Sequence, residues 1–465
     1  MLRHARSLSQ PFRHSRVYPS LARIRHAAAV PLLLGAALLS IIAPLHGAAM
    51  DSAASAAAAA VTAPAPAQCT VNRQPWPVCP HATARWSYEN GRYCVAAAMC
   101  PPQRAKAAPP AGLLRSAPVD ALADARTRAI FRYLRSIAGK ATLAGQADLS
   151  WDDSIDMAER VHADTGRYPA LMGYDFMDYG TSAAGANSTS AASGLHQVEE
   201  AIAFARKGGL VSFHWHWRDP ALLGTAQAGQ AQFYAGGDDP AKRTGFTIPM
   251  RNGALDADSA AMRQLDAGID LVAVQLRRLA DAGVTVLWRP LHEASGNDGD
   301  GWFWWGRART DGAPAAYAHI LLWRHLYERL VNVHGLHNLI WVWNGQDAVW
   351  YPGDDVVDIV GYDIYDATDG RRYRSQADTY RKSAAMADAP KPVALTETSY
   401  IPDPDAMARD GAPWLWFMVW NDGAGPAGVS NANNFWTGEH YNTNAHKHRV
   451  YRHPNVITLE RLPQF

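Results

Sequence analysis

The chain has 465 residues, 48% of them hydrophobic and 19% charged, with a formal net charge of +1 at neutral pH. That length accommodates one large domain and a smaller one, and the near-zero charge excludes the basic footprint that a nucleic-acid partner requires. Tryptophan is abundant, 17 residues against 11 phenylalanines, an excess suited to flat apolar rings that meet a ligand.

Residues 1–26 scatter Arg and His, AAAVPLLLGAALLSIIAPL then forms an apolar run, and HGAAM supplies small residues for cleavage near Ala49. A basic region, an apolar region and a small-residue exit predict a secretory signal over 1–49, hence a secreted protein. An uncleaved anchor that leaves the chain at the cell envelope is the alternative. MDSAASAAAAAVTAPAP, residues 50–66, is low in complexity and reads as a linker. All the cysteines follow in one short stretch, as Cys69, Cys79, Cys94 and Cys100. In an exported chain they imply two disulfides in a small module over 67–103, of open connectivity. A segment this short builds little core without such staples, and the missing C-x-x-C pair argues against zinc. Trp86 and Tyr88 alternate as on one face of a strand. With Trp76 they form either a platform for the C–H face of a sugar or the core of the module.

The stretch CTVNRQPWPVCPHATARWSYENGRYCVAAAMC resembles a family 10 carbohydrate-binding module in its cysteine spacings and its W-x-Y-E-N-G-x-x-C-V segment. The resemblance implies cellulose as a ligand, held by an aromatic strip that maps onto Trp86 and Tyr88. Where the family carries aromatics just after its first cysteine, this chain has Val71 and Asn72, so Trp76 would supply the third ring.

A second Pro/Ala linker covers 104–112, and the main domain runs over 113–465. Leu122, Ile130, Tyr133, Leu134 and Ile137 recur at helical spacing over 119–137, and 258–282 repeats the pattern with Ile269, Val272, Leu276 and Leu279. Strands are predicted at 141–146, 169–176, 210–217, 285–293, 338–344, 357–366, 392–399 and 414–422. Apolar strands alternating with helices predict a closed α/β (β/α)8 barrel of the TIM type. An open doubly wound sheet competes, but no Gly-rich phosphate turn follows any strand.

In such a barrel the chemistry sits where strands end. Those ends carry His214, His216 and Trp217; Arg289, His292 and Glu293; Asn344; Asp363 and Tyr365; Glu397; and Trp420 and Asn421. Glu293 and Glu397 are two carboxylates at the mouth of a Trp-rich barrel, which is what glycoside cleavage needs: one proton donor, and one group that attacks or activates water. Arg289, four residues before Glu293, offers a structural ion pair as the competing role. Metal-dependent hydrolysis would use His214 and His216, which alternate on one strand, but only His292 joins them and no H-E-x-x-H occurs. A non-catalytic polysaccharide-binding protein would keep the tryptophans and lose a carboxylate.

RPLHEASGNDGDGWFWWG, with PALMGYD, SFHWHW, DIVGYDIY, ALTET and FMVWN in order around it, closely resembles glycoside hydrolase family 26 over roughly residues 113–450. The resemblance implies a monomeric retaining endo-β-1,4-mannanase acting on mannan, galactomannan or glucomannan, without cofactor or metal. Within the family, β-1,3-xylanase and mixed-linkage β-glucanase are the alternatives. Residue by residue, it implies Glu293 as acid/base, Glu397 as nucleophile and Tyr365 as the donor that keeps Glu397 ionised. His292 and His216 would hold the sugar, Trp302 would lie beside the leaving group, and Trp420 would floor the cleavage subsite. Trp217, Asp363 and Asn421 complete the expected substrate-binding set. The acid should stay protonated because the neighbouring tryptophans raise its pKa. NDGD lengthens the loop beyond the family pattern and would reshape the leaving-group side. The cysteine module contributes nothing to this set, so it is expected to be dispensable on soluble substrate.

Overall fold

The computed structural model describes residues 68–82, 84–104, 107–149, 155–179, 196–223, 225, 233–236, 242–296, 301–366, 372–422 and 430–465. The expected signal, the first linker and the NDGD insertion lie outside them. Among the described residues no helix is long and apolar enough to cross a membrane.

The cysteine module is two hairpins. Strands β1 (Gln68–Val71) and β2 (Gln74–Pro77) pair antiparallel, as do β3 (Trp86–Glu89) and β4 (Arg92–Val95). Asn90 and Gly91 turn the second hairpin with φ of 50° and 75°, the positive pair that a two-residue Asn-Gly turn demands. Cys69 bonds Cys100 and Cys79 bonds Cys94, a connectivity that the spacings left open.

Helix α1 covers Ala125–Ile137, later than the expected start at 119. Asp124 sets the start, since its carboxylate accepts from the Thr127 amide at 2.6 Å and so satisfies one of the orphan donors of the first turn. Leu122 is left outside the helix, 68% exposed. There follow β5 (Thr142–Ala147), α2 (Met157–Thr165), β6 (Leu171–Asp175), α3 (Gln197–Arg206) and β7 (Leu210–His214). A short hairpin of β8 (Met250–Arg251) and β9 (Ala254–Leu255) precedes α4 (Ala260–Asp281) and β10 (Val286–Arg289). Next come α5 (Ala315–Glu328), β11 (Leu339–Trp343), β12 (Ile359–Ile364), α6 (Ala377–Ala384) and β13 (Val393–Thr398). The chain ends with α7 (Pro404–Asp410), β14 (Trp416–Val419), α8 (Asn444–Tyr451) and β15 (Val456–Ile457).

Strands β5, β6, β7, β10, β11, β12, β13 and β14 pair in parallel in that order, and β14 closes on β5, giving the expected barrel. Each expected strand forms; β5 is shifted one residue onward, and the other seven are trimmed at their ends. These strands are buried on both faces, inside by one another and outside by helices, which is why they read as continuous apolar runs. Closure needs Gly145, because a Cβ there would lie 2.6 Å from the Phe417 carbonyl oxygen.

Candidate active site

The C-terminal strand ends gather the polar residues. His214 ends β7, Arg289 ends β10, and Glu397 lies within β13 beside Asp363 of β12. Register shifts between Tyr362 and Asp363, and between Leu395 and Thr398, break the ladder here. Such irregularities re-aim side chains and are common beside active sites.

Glu293 stands just past β10 with φ of 52°, and Leu291 with 53°. Left-handed backbone is unfavourable for residues with a Cβ and persists where surrounding bonds enforce it. Here the Glu293 amide donates to the Asn344 carbonyl at 2.6 Å, and the Ser295 amide to that of Gly345 at 3.2 Å. The WFWWG run closes back over the same loop. Trp302 Nε1 donates to Glu293 Oε2 at 2.9 Å, Trp305 Nε1 to the His292 carbonyl at 2.8 Å, and Trp304 Nε1 to the Trp217 carbonyl at 2.6 Å. Trp304 and Trp305 are fully buried, whereas Trp302 is half-buried at the cleft. The tryptophans beside the carboxylate are thus divided: two build the loop and one touches the acid.

Oxygens of Glu293, Asp363 and Glu397 lie within 4.8 Å of one another. Arg289 donates to Asp363 Oδ2 at 3.0 Å and to Glu397 Oε1, and Tyr365 donates to Glu397 Oε2 at 2.5 Å. Arg289 therefore pairs across the barrel, not with Glu293 along its own segment. Its guanidinium occupies the space between two of the three carboxylates, where a cation would otherwise balance them. Burial pushes the Glu293 carboxyl well above its usual range, and Asp363 and Glu397 add to the effect against Arg289. Burial also raises Glu397, to about 7, with Asp363 adding; Arg289 and Tyr365 work in the opposite direction. The carboxyl held by cationic and hydroxyl donors is the readier to ionise, and the one buried beside two further carboxylates is the readier to stay protonated.

A second cluster centres on Asp175, which ends β6. Its carboxylate meets His216 Nδ1 at 2.7 Å, the His216 amide at 3.1 Å and His214 Nε2 at 3.4 Å. Burial alone would raise Asp175, but His214 and His216 hold it well below the usual range. An ionised Asp175 requires the His216 Nδ1 proton as donor, leaving Nε2 free to meet a sugar hydroxyl. Burial lowers His214 to about 4 and takes His292 well below its ordinary value, so both are neutral near pH 7. The His216 ring lies 4.6 Å from that of His292 and 6.0 Å from that of Trp420. Asp175, His214 and His216 also offer three ligand atoms within 4.8 Å, but the Asp175–His216 bond already occupies the nearest pair.

Most of the expected residues converge here: Glu293, Glu397, His216, His292, Trp302, Tyr365 and Trp420, and Asn421, next in the chain after Trp420, is buried. Others depart from expectation. Trp217 is 3% exposed, stacks on Trp215 at 4.0 Å and packs against Gly268 of α4, so it is a packing residue. The Asp363 side chain is 0% exposed, and its oxygens are taken by Arg289 and by Thr396 Oγ1 at 2.6 Å, so it is a charge partner with no face toward a sugar. Asp175 and Arg289 are functional candidates that sequence reasoning left out of the site. Asp175 carries the signal that found the glutamates, a carboxylate at a strand end.

The expected aromatic strip of the module is not a free surface. Trp86 is 4% exposed and donates through Nε1 to the Val349 carbonyl at 2.9 Å. Tyr88 is half-buried against Gly253 in the β8–β9 turn, where a Cβ would lie 2.4 Å from the Tyr88 Cβ. Trp76 meets Trp86 edge-on at 5.4 Å. Trp86 and Tyr88 thus meet the barrel, as does the neighbouring Arg85.

A sequence profile described as glycosyl hydrolase family 26 matches residues 119–460. A mannan endo-1,4-beta-mannosidase of Thermothelomyces thermophilus is 42% identical over 302 residues, covering 64% of this chain and 56% of that protein. Mannan endo-1,4-beta-mannosidase B of a Piromyces species is 30% identical over 341 residues, 72% of this chain and 52% of that one. The chain thus spans about half the length of these curated relatives. Among solved structures, the β-mannanase of a symbiotic protist of the termite Reticulitermes speratus, complexed with a gluco-manno-oligosaccharide, superposes with a TM-score of 0.62. It is 30% identical, and the match covers 76% of this chain and all (100%) of that one. The GH26-CBM35 β-(1,4)-mannanase of Podospora anserina gives 0.60 at 35% identity, over 76% of this chain and 70% of that one.

Proposed function

The chain belongs to glycosyl hydrolase family 26, and on that premise we propose that it is a retaining endo-β-1,4-mannanase acting on mannan, galactomannan or glucomannan. The observation that carries the mechanism is the proximity of Glu293 and Glu397, whose oxygens lie within 4.8 Å. Retaining enzymes hold the pair about 5–5.5 Å apart, whereas inverting ones need about 6.5–9.5 Å to admit a water.

In the first step a Glu397 oxygen bonds to the anomeric carbon as the glycosidic C–O bond breaks. Glu293 passes its proton to the departing oxygen. In the second, Glu293, now a carboxylate, takes a proton from water, the water oxygen bonds to the anomeric carbon, and Glu397 is released. Arg289 and Tyr365 favour the ionised form of Glu397 that the attack needs. Burial and the neighbouring carboxylates keep Glu293 protonated for its task. His216, oriented by Asp175, meets a sugar hydroxyl, the buried His292 packs beside its ring, and Trp420 floors the subsite.

Export with cleavage near Ala49 and action as a monomer belong to the same reading. The two disulfides support export, since such bonds persist in oxidising compartments. Retention on cellulose would have to run over Trp76, because Trp86 is occupied by the barrel and Tyr88 packs against Gly253.

The test is hydrolysis by purified protein of carob galactomannan, lichenan, β-1,3-xylan and carboxymethylcellulose. Galactomannan viscosity should fall faster than reducing ends appear. Activity confined to lichenan or xylan would refute the mannan assignment and leave the two-carboxylate chemistry intact.

A further inference from the structure

Glu293 adopts a left-handed backbone conformation, φ 52°, that its own side chain disfavours. What holds it is the segment after β11: the carbonyls of Asn344 and Gly345 take the amides of Glu293 and Ser295. The Asn344 side chain also donates to Thr396 Oγ1 at 2.8 Å, which in turn donates to Asp363 beside the acid. The segment therefore acts as a template for the acid, and its own position matters.

The far end of that template is held by the cysteine module. Arg85 Nε donates to the Ala348 carbonyl at 2.6 Å, and Trp86 Nε1 to that of Val349 at 2.9 Å. Arg104 pairs with Asp347 at 2.9 Å, and the same Asp347 oxygen accepts the Val349 amide at 3.0 Å. Arg85 is buried to 9% exposure, with further bonds to the Met386 carbonyl and to both oxygens of Asp388, and its guanidinium lies 4.7 Å from the Tyr351 ring centre. Detachment of the module would break all of these bonds at once and return Arg85 to water. A sugar-binding accessory on a free tether would have no use for such an anchor. Module and barrel fall in one compact unit.

We propose that the disulfide module is part of the catalytic machinery: through Arg85 and Trp86, together with Arg104 at the start of the following linker, it fixes residues 347–349 and so positions the proton donor Glu293. These three are positioning residues, since none touches the reacting atoms. The inference rests on the assignment of Glu293 as acid/base.

The experiment uses the full chain with Trp86→Phe, which removes the indole N–H and keeps a ring, and with Arg104→Ala, singly and together. Each is assayed on galactomannan, which needs the acid and then the base. Each is also assayed for the pre-steady-state release of dinitrophenol from a dinitrophenyl β-mannobioside, a step that needs neither, because the leaving group departs unaided and water has not yet attacked. The double variant should lose about tenfold to a hundredfold in kcat on galactomannan, the scale set by a small misplacement of a catalytic group. Its dinitrophenol burst rate should stay within about twofold of the parent chain. Wild-type kcat on galactomannan overturns the proposal. An equal loss in both reactions also overturns it, because that is general damage to the cleft. Should Trp86→Phe abolish cooperative melting, Arg104→Ala carries the same comparison. If the unaltered chain ignores galactomannan, the substrate assignment fails instead, and the comparison is made on whichever polysaccharide it cleaves.

Discussion

Tyr365 donates to Glu397 at 2.5 Å, a bond that favours the carboxylate and works against the rise imposed by burial and Asp363. Tyr365→Phe removes that help, so the Glu397 pKa rises further. Attack requires ionised Glu397, and the acid limb of the kcat/KM profile marks its protonation as pH falls. The limb should therefore move to higher pH, and a limb that stays in place would mean that Tyr365 does not tune the nucleophile. Asp175 acts one bond further out. Asp175→Ala frees His216 from its 2.7 Å partner and should lower kcat/KM on mannan-derived oligosaccharides by about tenfold, ~1.4 kcal/mol of transition-state binding. A wild-type value would reduce Asp175 to a packing residue. Glu293 and Glu397 were legible because carboxylates ending strands in Trp-rich surroundings fit few other tasks. Asp175 ends its strand in the same way, but its role depends on two histidines at and just past the end of β7, a neighbourhood that the paired strands create.

The loop from Leu291 to Gly306 is the element on which the acid rests. Its terminal glycine is dictated by a close approach: a Cβ on Gly306 would lie 1.9 Å from the Ala294 carbonyl oxygen, one residue past Glu293. Gly306→Ala should destabilise the chain by about 1–3 kcal/mol, as overpacked sites do, and should lower kcat more than KM. Urea denaturation together with steady-state kinetics measures both, and an unchanged midpoint with unchanged kcat would show that the loop yields freely. The barrel strands were readable from sequence because doubly buried parallel strands are continuous apolar runs bounded by turns. The start of α1 was less so: Leu122 fits the helical period, but Asp124 captures the Thr127 amide and begins the helix later. Trp217 misled for a related reason. It follows His216 in sequence, yet the alternation that sends His214 and His216 to Asp175 sends Trp215 and Trp217 to the opposite side, where they stack.

Across the whole molecule, the module changes meaning on docking. Its cysteines and the Asn90-Gly91 turn were legible locally, whereas the contacts of Arg85 and Trp86 join residues far apart in the chain and leave no local periodicity. The aromatic ring expected to meet cellulose meets Val349 instead. Trp86→Ala should cost about 3–5 kcal/mol, the usual scale for emptying a buried indole site, read as a lower melting temperature of the full chain. An unchanged melting curve would mean that the docked arrangement is not the one that folds. The retaining division of labour between the two glutamates is tested most directly with Glu293→Ala, the dinitrophenyl β-mannobioside and azide. Without its base the variant should accumulate the Glu397 glycosyl-enzyme, and azide should restore turnover by attacking that intermediate. The expected product is the β-glycosyl azide, from two successive inversions. An α-azide from this variant, or rescue seen only in Glu397→Ala, would contradict the assignment.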